Sequence, residues 1–462
     1  MEQNMSNTFR TTLAVAACKG ARGMLRVLKK GGTTVPGKIA MKIDSGILSK
    51  VSEGMEIIVV TGTNGKTTTS NMLEHALTSS GRDTLANRSG ANLLPGVVAE
   101  FTANASASGH PKKKYAVVEC DEAALKLVVP QIHPKVILVT NLFRDQLDRY
   151  GEVMHTRDEI RKGIEKCPDA VLCLNADDSL VVSLADNVPN KVVWYGIDIP
   201  VGPQKEVQIS DARYCIHCGT EYEYDYHTYA HLGGFRCPKC GYSRPKTDVA
   251  VTDIAKQGMT GSDVSVRFGS DNYSVHVGLP AVYNIYNAAG AIAAYTAAGF
   301  DKEEIFQSLA DVHSSFGRME TFDLDGAHIQ MILVKNPAGC NQALSYVSST
   351  GVDYNACFCL NDRTADGHDI SWIWDADFES VCADPHLKKV LVSGDRAEDM
   401  LLRLKYAGLG DRSAEIVHTN KELIERFRKS ELPVFVLPNY TSMLSLRADL
   451  SEITGKSGFW EG

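Results

Sequence analysis

Ile57-Ile-Val-Val-Thr-Gly-Thr-Asn-Gly-Lys-Thr-Thr-Thr69 is the stretch from which the rest of the chain is read. The β-branched run Ile57 to Val60 predicts a buried strand. Gly62 and Gly65 allow a tight turn, and Lys66-Thr67-Thr68 opens a helix predicted to run through Leu77. Strand, glycine loop and helix in that order make a phosphate cradle, with backbone N–H groups and the helix N-terminus facing the anion. Gly62, Thr63, Asn64, Gly65, Lys66, Thr67 and Thr68 are therefore the candidate nucleotide-binding residues. Lys66 reaches the β/γ-phosphates in this reading, and the Thr67 hydroxyl sits on Mg²⁺. The spacing departs from the strict G-x-x-x-x-G-K-[ST] pattern, because Val60 stands where that pattern has its first glycine.

A chain of 462 residues, 44% hydrophobic and 23% charged, predicts a soluble globular protein with ample core. A net charge of −8 gives no reason to expect a nucleic-acid binder. The charge is uneven: the first fifty residues hold nine Lys/Arg against Glu2 and Asp44, about +7, which leaves about −15 for the remainder. No run of apolar residues is long enough to span a bilayer. Val15-Ala-Ala-Cys18 resembles a lipoprotein cleavage box, but the apolar segment before it, Thr11 to Ala17, is too short for a secretory signal. The expectation is a cytoplasmic chain, peripheral at most at the inner face of the membrane. The basic segment 1–50 predicts an amphipathic helix from about Thr8 to Lys30, with Leu13, Val15, Leu25 and Val27 on its apolar side. Such a helix packs on the domain, or rests on anionic lipid through Arg22, Arg26, Lys29 and Lys30.

Twelve cysteines in so large a chain are not a secreted disulfide framework. Eight are scattered. The other four form Cys215-Ile-His-Cys218 and, eighteen residues on, Cys237-Pro-Lys-Cys240. Two C-x-x-C pairs at this separation predict a tetrahedral four-thiolate cage for Zn²⁺, closed and hence structural. Tyr222, Tyr224, Tyr226, Tyr229 and Phe235 lie between the pairs as the ribbon's small core, and Glu221, Glu223 and Asp225 among them oppose nucleic acid.

Between the cradle and the cysteines, apolar strand patterns at Tyr115–Glu119, Lys135–Asn141, Ala170–Asn175 and Val192–Tyr195 alternate with helical stretches. This predicts an α/β fold with a doubly wound, mostly parallel sheet and a site at the carboxyl ends of its strands. Glu119, Asn141 and Asn175 fall at such ends. Pro200 to Thr247 interrupts the pattern as an insertion, with the ribbon at about 205–247, and the sheet resumes at Val264–Phe268 and Tyr273–Val277. The predicted division is a basic segment 1–50, a central ATP-binding domain 51–312, and a C-terminal α/β domain 313–462 that binds a partner.

Six motifs in order resemble the Mur ligases, from about Val51 to Tyr440: the cradle itself, Thr140-Asn-Leu-Phe-Arg-Asp-Gln-Leu-Asp148 with Gly151, Leu174-Asn-Ala-Asp-Asp178, Asn284 with Asn287, and Gly317-Arg318-Met-Glu320 among them. The resemblance implies a Mur-ligase-type central ATPase domain. It implies that Glu119 is the Mg²⁺ carboxylate, that Asn284 and Asn287 approach the adenine end of ATP, and that Asn141 lines the nucleotide site. Arg318 either reaches the γ-phosphate or pairs with Glu320. Asp145 and Asp148 are either functional or helix caps.

The departures are informative. Only some fifty residues precede the cradle, too few for a domain that binds a UDP-linked substrate. Gln146 replaces the family histidine, and Arg161 and Lys162 stand near the place of a carbamylated lysine without matching it. Leu333-Val-Lys335-Asn336-Pro337 lacks the Asp and His of an amino-acid acceptor site. With the ribbon, Asn336-Pro-Ala-Gly-Cys340 and Asn361-Asp-Arg-Thr-Ala-Asp-Gly-His-Asp369-Ile-Ser-Trp-Ile-Trp374, these departures resemble the MurT branch of the Mur ligases. That branch amidates the α-carboxylate of D-glutamate in lipid II with ATP, through an acyl phosphate. The resemblance implies a heterodimer with a GatD-like glutamine amidotransferase that supplies ammonia. The apolar Ile370-Ser-Trp-Ile-Trp374 predicts a loop anchored by Trp372 and Trp374, and from spacing alone Asp369 in it is a cap for the next helix. The resemblance implies instead that Asp369, with Asp375 and Asp377 in reserve, completes the partner's Cys–His pair. Lys66, Glu119 and Asp369 are thus the catalytic candidates. Two other readings stay open at this point: a stand-alone amino-acid or folate-type ligase, and an ATP-gated zinc scaffold without chemistry.

Overall fold

Glu56–Thr61 forms strand β1 because Ile57, Ile58, Val59 and Val60 are all buried, alternately on the two faces of one sheet. The remaining strands of that part are β2 (Thr84–Ala86), β3 (Tyr115–Glu119), β4 (Val136–Val139), β5 (Val171–Asn175), β6 (Val192–Ile197), the hairpin β7 (Glu223–Tyr229) and β8 (Leu232–Arg236), β9 (Val249–Gly258), β10 (Gly261–Phe268) and β11 (Asp271–Val277). The structure, a computed structural model, describes residues 2–27, 34–87, 91–144, 153–201, 211–258, 261–312, 318–410 and 414–456. Asp145, Gln146, Asp148 and Gly151 lie outside the described residues, as do the side chains of Arg26 and Arg318 and residues Lys29, Lys30 and Gly317.

Among the described residues the first sheet has the order β11-β10-β9-β6-β5-β4-β1-β3-β2. The pairs from β2 to β9 are parallel, and β10 and β11 add an antiparallel edge. One face carries Ile57, Val59, Ala116, Val118, Ile137 and Leu172, packed under the N-terminal helix (Glu2–Val27), the helix Leu94–Ala103 and the short helix Ile47–Val51. The other face carries Ile58, Val60, Val117, Leu138 and Cys173, packed under the cradle helix (Lys66–Ser79) and the alanine-rich helix (Val282–Ala297). Strands covered on both faces read as near-continuous apolar runs, as β1, β4 and β5 do.

Two expectations need correction. The sheet resumes at Val249, not Val264. Thr252, Asp253 and Lys256 dilute the apolar pattern of β9, and only three of its residues, Val249 to Val251, pair with β6. The inner side of the N-terminal helix is Thr11, Ala14, Val15 and Cys18, all buried, whereas Leu13 is exposed. Burial of Cys18 and the Arg22–Glu100 ion pair at 3.0 Å fix this helix against the sheet domain.

The second sheet contains β12 (Arg318–Leu324), β13 (Ala327–Ile332), β14 (Tyr354–Cys359), β15 (Leu387–Ser393), β16 (Ala414–Ile416) and β17 (Val434–Pro438), in the order β12-β13-β17-β14-β15-β16. It is parallel except for the β12–β13 hairpin and has its own cores on its two faces.

Candidate nucleotide site and four-cysteine centre

β1 pairs with β3 on one side and β4 on the other, so the chain order reverses beside it. Ligands bind in parallel sheets at such a switch point, beyond the carboxyl ends of the strands. The loop Gly62–Gly65 leaves β1 there. Gly62 and Gly65 have φ of 117° and 86°. A Cβ on Gly62 would overlap the Thr140 hydroxyl, and one on Gly65 would overlap the Asn287 amide. Glycine is thus required at both by conformation and by space.

The loop is held by its neighbours across the sheet. Asn64 N–H donates to Asn141 Oδ1 at 2.9 Å, and the Thr140 hydroxyl donates to Asn64 O at 2.7 Å. The Thr63 hydroxyl and Phe143 backbone exchange two bonds, at 3.1 and 3.0 Å. Asn287 in turn donates to Asn284 Oδ1 at 3.1 Å. The structure therefore brings Asn141, Asn284 and Asn287 to the wall of the cradle itself. No side chain caps the cradle helix at Gly65, which leaves its N-terminus for an anion.

Two pairs dominate the electrostatics. The Thr67 hydroxyl donates to Glu119 Oε2 at 2.7 Å, and Asn92 donates to the other carboxylate oxygen at 3.3 Å. A hydroxyl and a carboxylate side by side are the hard-oxygen donor set that Mg²⁺ takes, so these residues fit that ion. The Lys66 ammonium donates to Gly62 O at 2.5 Å and to Glu122 Oε1 at 2.8 Å, with both side chains buried. Burial pushes the Glu122 carboxyl above its ordinary range, and Lys66 opposes that shift. Sequence reasoning passed over Glu122; the signal was its place three residues after Glu119 at the end of β3.

The second sheet closes this region. Asn336 caps the helix Pro337–Ser349 at Gly339 N and donates to Asn64 Oδ1 at 3.2 Å. Lys335 acts electrostatically on Glu122. The Arg144 guanidinium pairs with Asp375, tying the loop after β4 to the other sheet. Arg161 is engaged by Glu165 at 2.9 Å, and Lys162 by Glu159 at 2.7 Å. Glu320 is held at 2.8 Å by Arg447.

Asp369 is exposed and accepts the Ser371 N–H at 2.8 Å; bonds from Ser371 hold its carboxyl below the usual range. Asp377 caps the next helix at Ser380. The loop is anchored as expected by Trp372, which packs half-buried on the core of the second sheet, and also by buried Ile373; Trp374 is about half exposed, edge-on to exposed Tyr406.

Cys215, Cys218, Cys237 and Cys240 converge, their sulfurs all within 4.8 Å of one another. Tetrahedral Zn–S bonds would set sulfurs about 3.8 Å apart, so the four fit Zn²⁺. Cys215, Tyr222, Phe235 and Cys237 form the ribbon's core with Val182. The hairpin β7–β8 reaches beyond it. Tyr229 stacks on Phe143 with centroids 5.8 Å apart, and buried His231 lies 4.6 Å from the same ring. The Tyr286 hydroxyl joins Thr228, at 2.6 Å, to buried Asp177, at 2.5 Å. The ribbon thus packs against the residue that holds Thr63.

The family profile described as Mur ligase middle domain matches residues 60–295, and that of the MurT ligase C-terminal domain matches 333–443. The "Lipid II isoglutaminyl synthase (glutamine-hydrolyzing) subunit MurT" of Streptococcus pneumoniae is 33% identical over 95% of this chain and 96% of its own. The protein of that name from Staphylococcus aureus strain COL is 32% identical over 96% of this chain and 98% of its own. MurF from Acinetobacter baumannii has the same fold, with a TM-score of 0.65 at 18% identity over 90% of this chain and 80% of its own. Agreement along almost the whole length, with both profiles in order across the cradle and the second sheet, places the chain in the MurT family of Mur ligases.

Proposed function

We propose that this protein is the ligase subunit of a glutamine-dependent amidating enzyme, acting with ATP on the D-glutamate α-carboxylate of lipid II in peptidoglycan synthesis. A carboxylate is a poor electrophile, so the terminal phosphoryl group of ATP is first transferred to it, giving an acyl phosphate. Ammonia then attacks the carbonyl, and phosphate leaves as the C–N bond forms. The loop Gly62–Thr68 and the helix N-terminus hold the phosphates, and Lys66 turns from Glu122 towards them. Thr67 and Glu119 hold Mg²⁺, which neutralises charge on the transferring group when bound. Asn287, Asn284 and Asn141 line the nucleotide site. Zn²⁺ in the four-cysteine cage is structural.

One observation carries the reading: the Lys66–Glu122 and Thr67–Glu119 pairs lie beside the loop Lys335-Asn336 that follows β13 of the second sheet. That loop has an ammonium where an amino-acid ligase needs an acceptor pocket. Ammonia as acceptor needs none, which favours amidation over amino-acid addition. The ammonia comes from a GatD-like glutaminase bound at the C-terminal sheet. Exposed Trp374 and Tyr406 supply aromatic anchors for it, and Asp369 orients its catalytic histidine. A lipid-linked substrate places the complex at the inner face of the membrane. The test is mass analysis of lipid II incubated with ATP, glutamine and the co-purified complex. Replacement of OH by NH₂ lowers the mass by about one unit; an unchanged mass, or a gain of an amino-acid residue, refutes the assignment.

A further inference from the structure

The N-terminal helix is apolar on two sides, and the fold uses one of them. Thr11, Ala14, Val15 and Cys18 face the sheet domain and are buried. On the opposite side Phe9, Leu13, Ala16, Gly20 and Met24 fall within about 80° of arc, over a length of about 22 Å. Phe9, Leu13 and Met24 are 69%, 48% and 67% exposed. A single exposed leucine needs no explanation, but a surface helix ordinarily turns polar residues outward. Here no charged residue enters the outer arc between Phe9 and Met24.

The charge lies at its borders. Exposed Arg10 flanks the apolar arc. The helix Thr34–Ile43 packs beside it and turns Val35, Lys38 and Lys42 outward at i, i+3 and i+7. The first fifty residues sum to about +7 against about −15 for the rest. An apolar stripe with basic borders is the pattern of a helix that lies in an anionic lipid interface. The acidic remainder is repelled by the same surface, so the field orients the molecule with this face down. A second copy fits poorly, since it would bring one basic segment against another.

We propose that the outer face of the N-terminal helix docks on an anionic bilayer, seating the chain where a lipid-linked substrate is held. The lipid-linked substrate belongs to the function proposed above; the docking surface rests on the helix itself. The test is flotation of the full chain, with its partner subunit, on vesicles of phosphatidylglycerol and phosphatidylcholine. Wild type should float with them, and at least about tenfold less with phosphatidylcholine alone. Phe9→Glu/Leu13→Glu should reduce flotation on the anionic vesicles by at least about tenfold. The same variant should keep wild-type amidation of a short-chain, water-soluble substrate analogue and lose amidation of vesicle-embedded substrate. Wild type that fails to float, or a variant that floats equally well, overturns the proposal. So does a variant that sheds its partner subunit or converts a dimer to a monomer in ultracentrifugation, which would make the stripe a protein interface. Wild type that floats through this face yet amidates neither substrate leaves the docking surface standing and sinks the assigned reaction.

Discussion

The Lys66 ammonium stands 2.8 Å from the Glu122 carboxylate, with both side chains out of solvent. Lys66→Ala should abolish amidation, and it should also leave a buried carboxyl without its cation, at a cost of about 3 kcal/mol. Burial already pushes Glu122 upward, and loss of Lys66 removes the group that opposes it. A carboxyl whose folded pKa exceeds its unfolded one destabilises the charged fold above that pKa, and the penalty fades as pH falls through it. The melting-temperature deficit of Lys66→Ala should therefore shrink on acidification. Lys66→Ala/Glu122→Gln should recover stability at neutral pH and remain inactive. A deficit that is independent of pH would show that the pair is not what Lys66→Ala disturbs.

Asp369→Asn tests the proposed link to the glutaminase. Amidation driven by glutamine should fall sharply, while amidation driven by an added ammonium salt persists. Asp375 is committed to Arg144 and Asp377 to its helix cap, so their replacement should act on stability or on both activities together. Equal loss of both activities in Asp369→Asn would return Asp369 to the Ser371 turn it makes.

Chelation, or Cys237→Ser, should lower the melting temperature, because the binding energy of a closed site is folding energy. It should also weaken ATP turnover, since the hairpin packs through Tyr229 and His231 on Phe143, which holds Thr63. A displacement of about 1 Å at the cradle costs up to about a hundredfold in kcat/KM. Tyr286→Phe removes the Thr228–Asp177 bridge without touching the cysteines, and should reproduce part of the kinetic loss with the metal still bound. Metal analysis and steady-state ATP kinetics on the two variants separate the effects.

Asn336→Ala should cost about 1 kcal/mol through the lost helix cap. It should also raise KM for ATP, through loss of the bond to Asn64. Asn336→Asp keeps the cap acceptor and removes the donor. It should therefore preserve stability and still raise KM, which distinguishes the contact between the sheets from the cap.

Local features were legible in the sequence because their causes are local. The strand, loop and helix of the cradle, and the paired C-x-x-C turns, are each contained within a few dozen residues. The Lys66–Glu122 pair was not, because it joins residues 56 apart whose meeting depends on β1 lying beside β3. β9 escaped because its pairing with β6 follows a long insertion. The N-terminal helix was recognised, but its orientation only in part, since Val15 is buried as expected and Leu13 is not: with apolar residues on two sides, periodicity alone offers two candidate inner faces. Sheet contacts chose Ala14, Val15 and Cys18 over Leu13.

The ribbon leaves the sheet after β6 and returns at β9, and these two strands are hydrogen-bonded neighbours. During synthesis β6 is therefore an open edge until roughly fifty further residues have emerged and folded back. The entropic cost of closing such a loop grows only slowly with its length, and a ribbon clasped by metal would shorten the free chain that must be closed. A cell short of zinc would accumulate nascent chains whose half-built sheet ends in an unpaired strand, the kind of edge that recruits other chains. Were zinc to fill the four-cysteine cage, its supply would bear on the yield of this protein at the ribosome, before its stability or its catalysis is ever called upon.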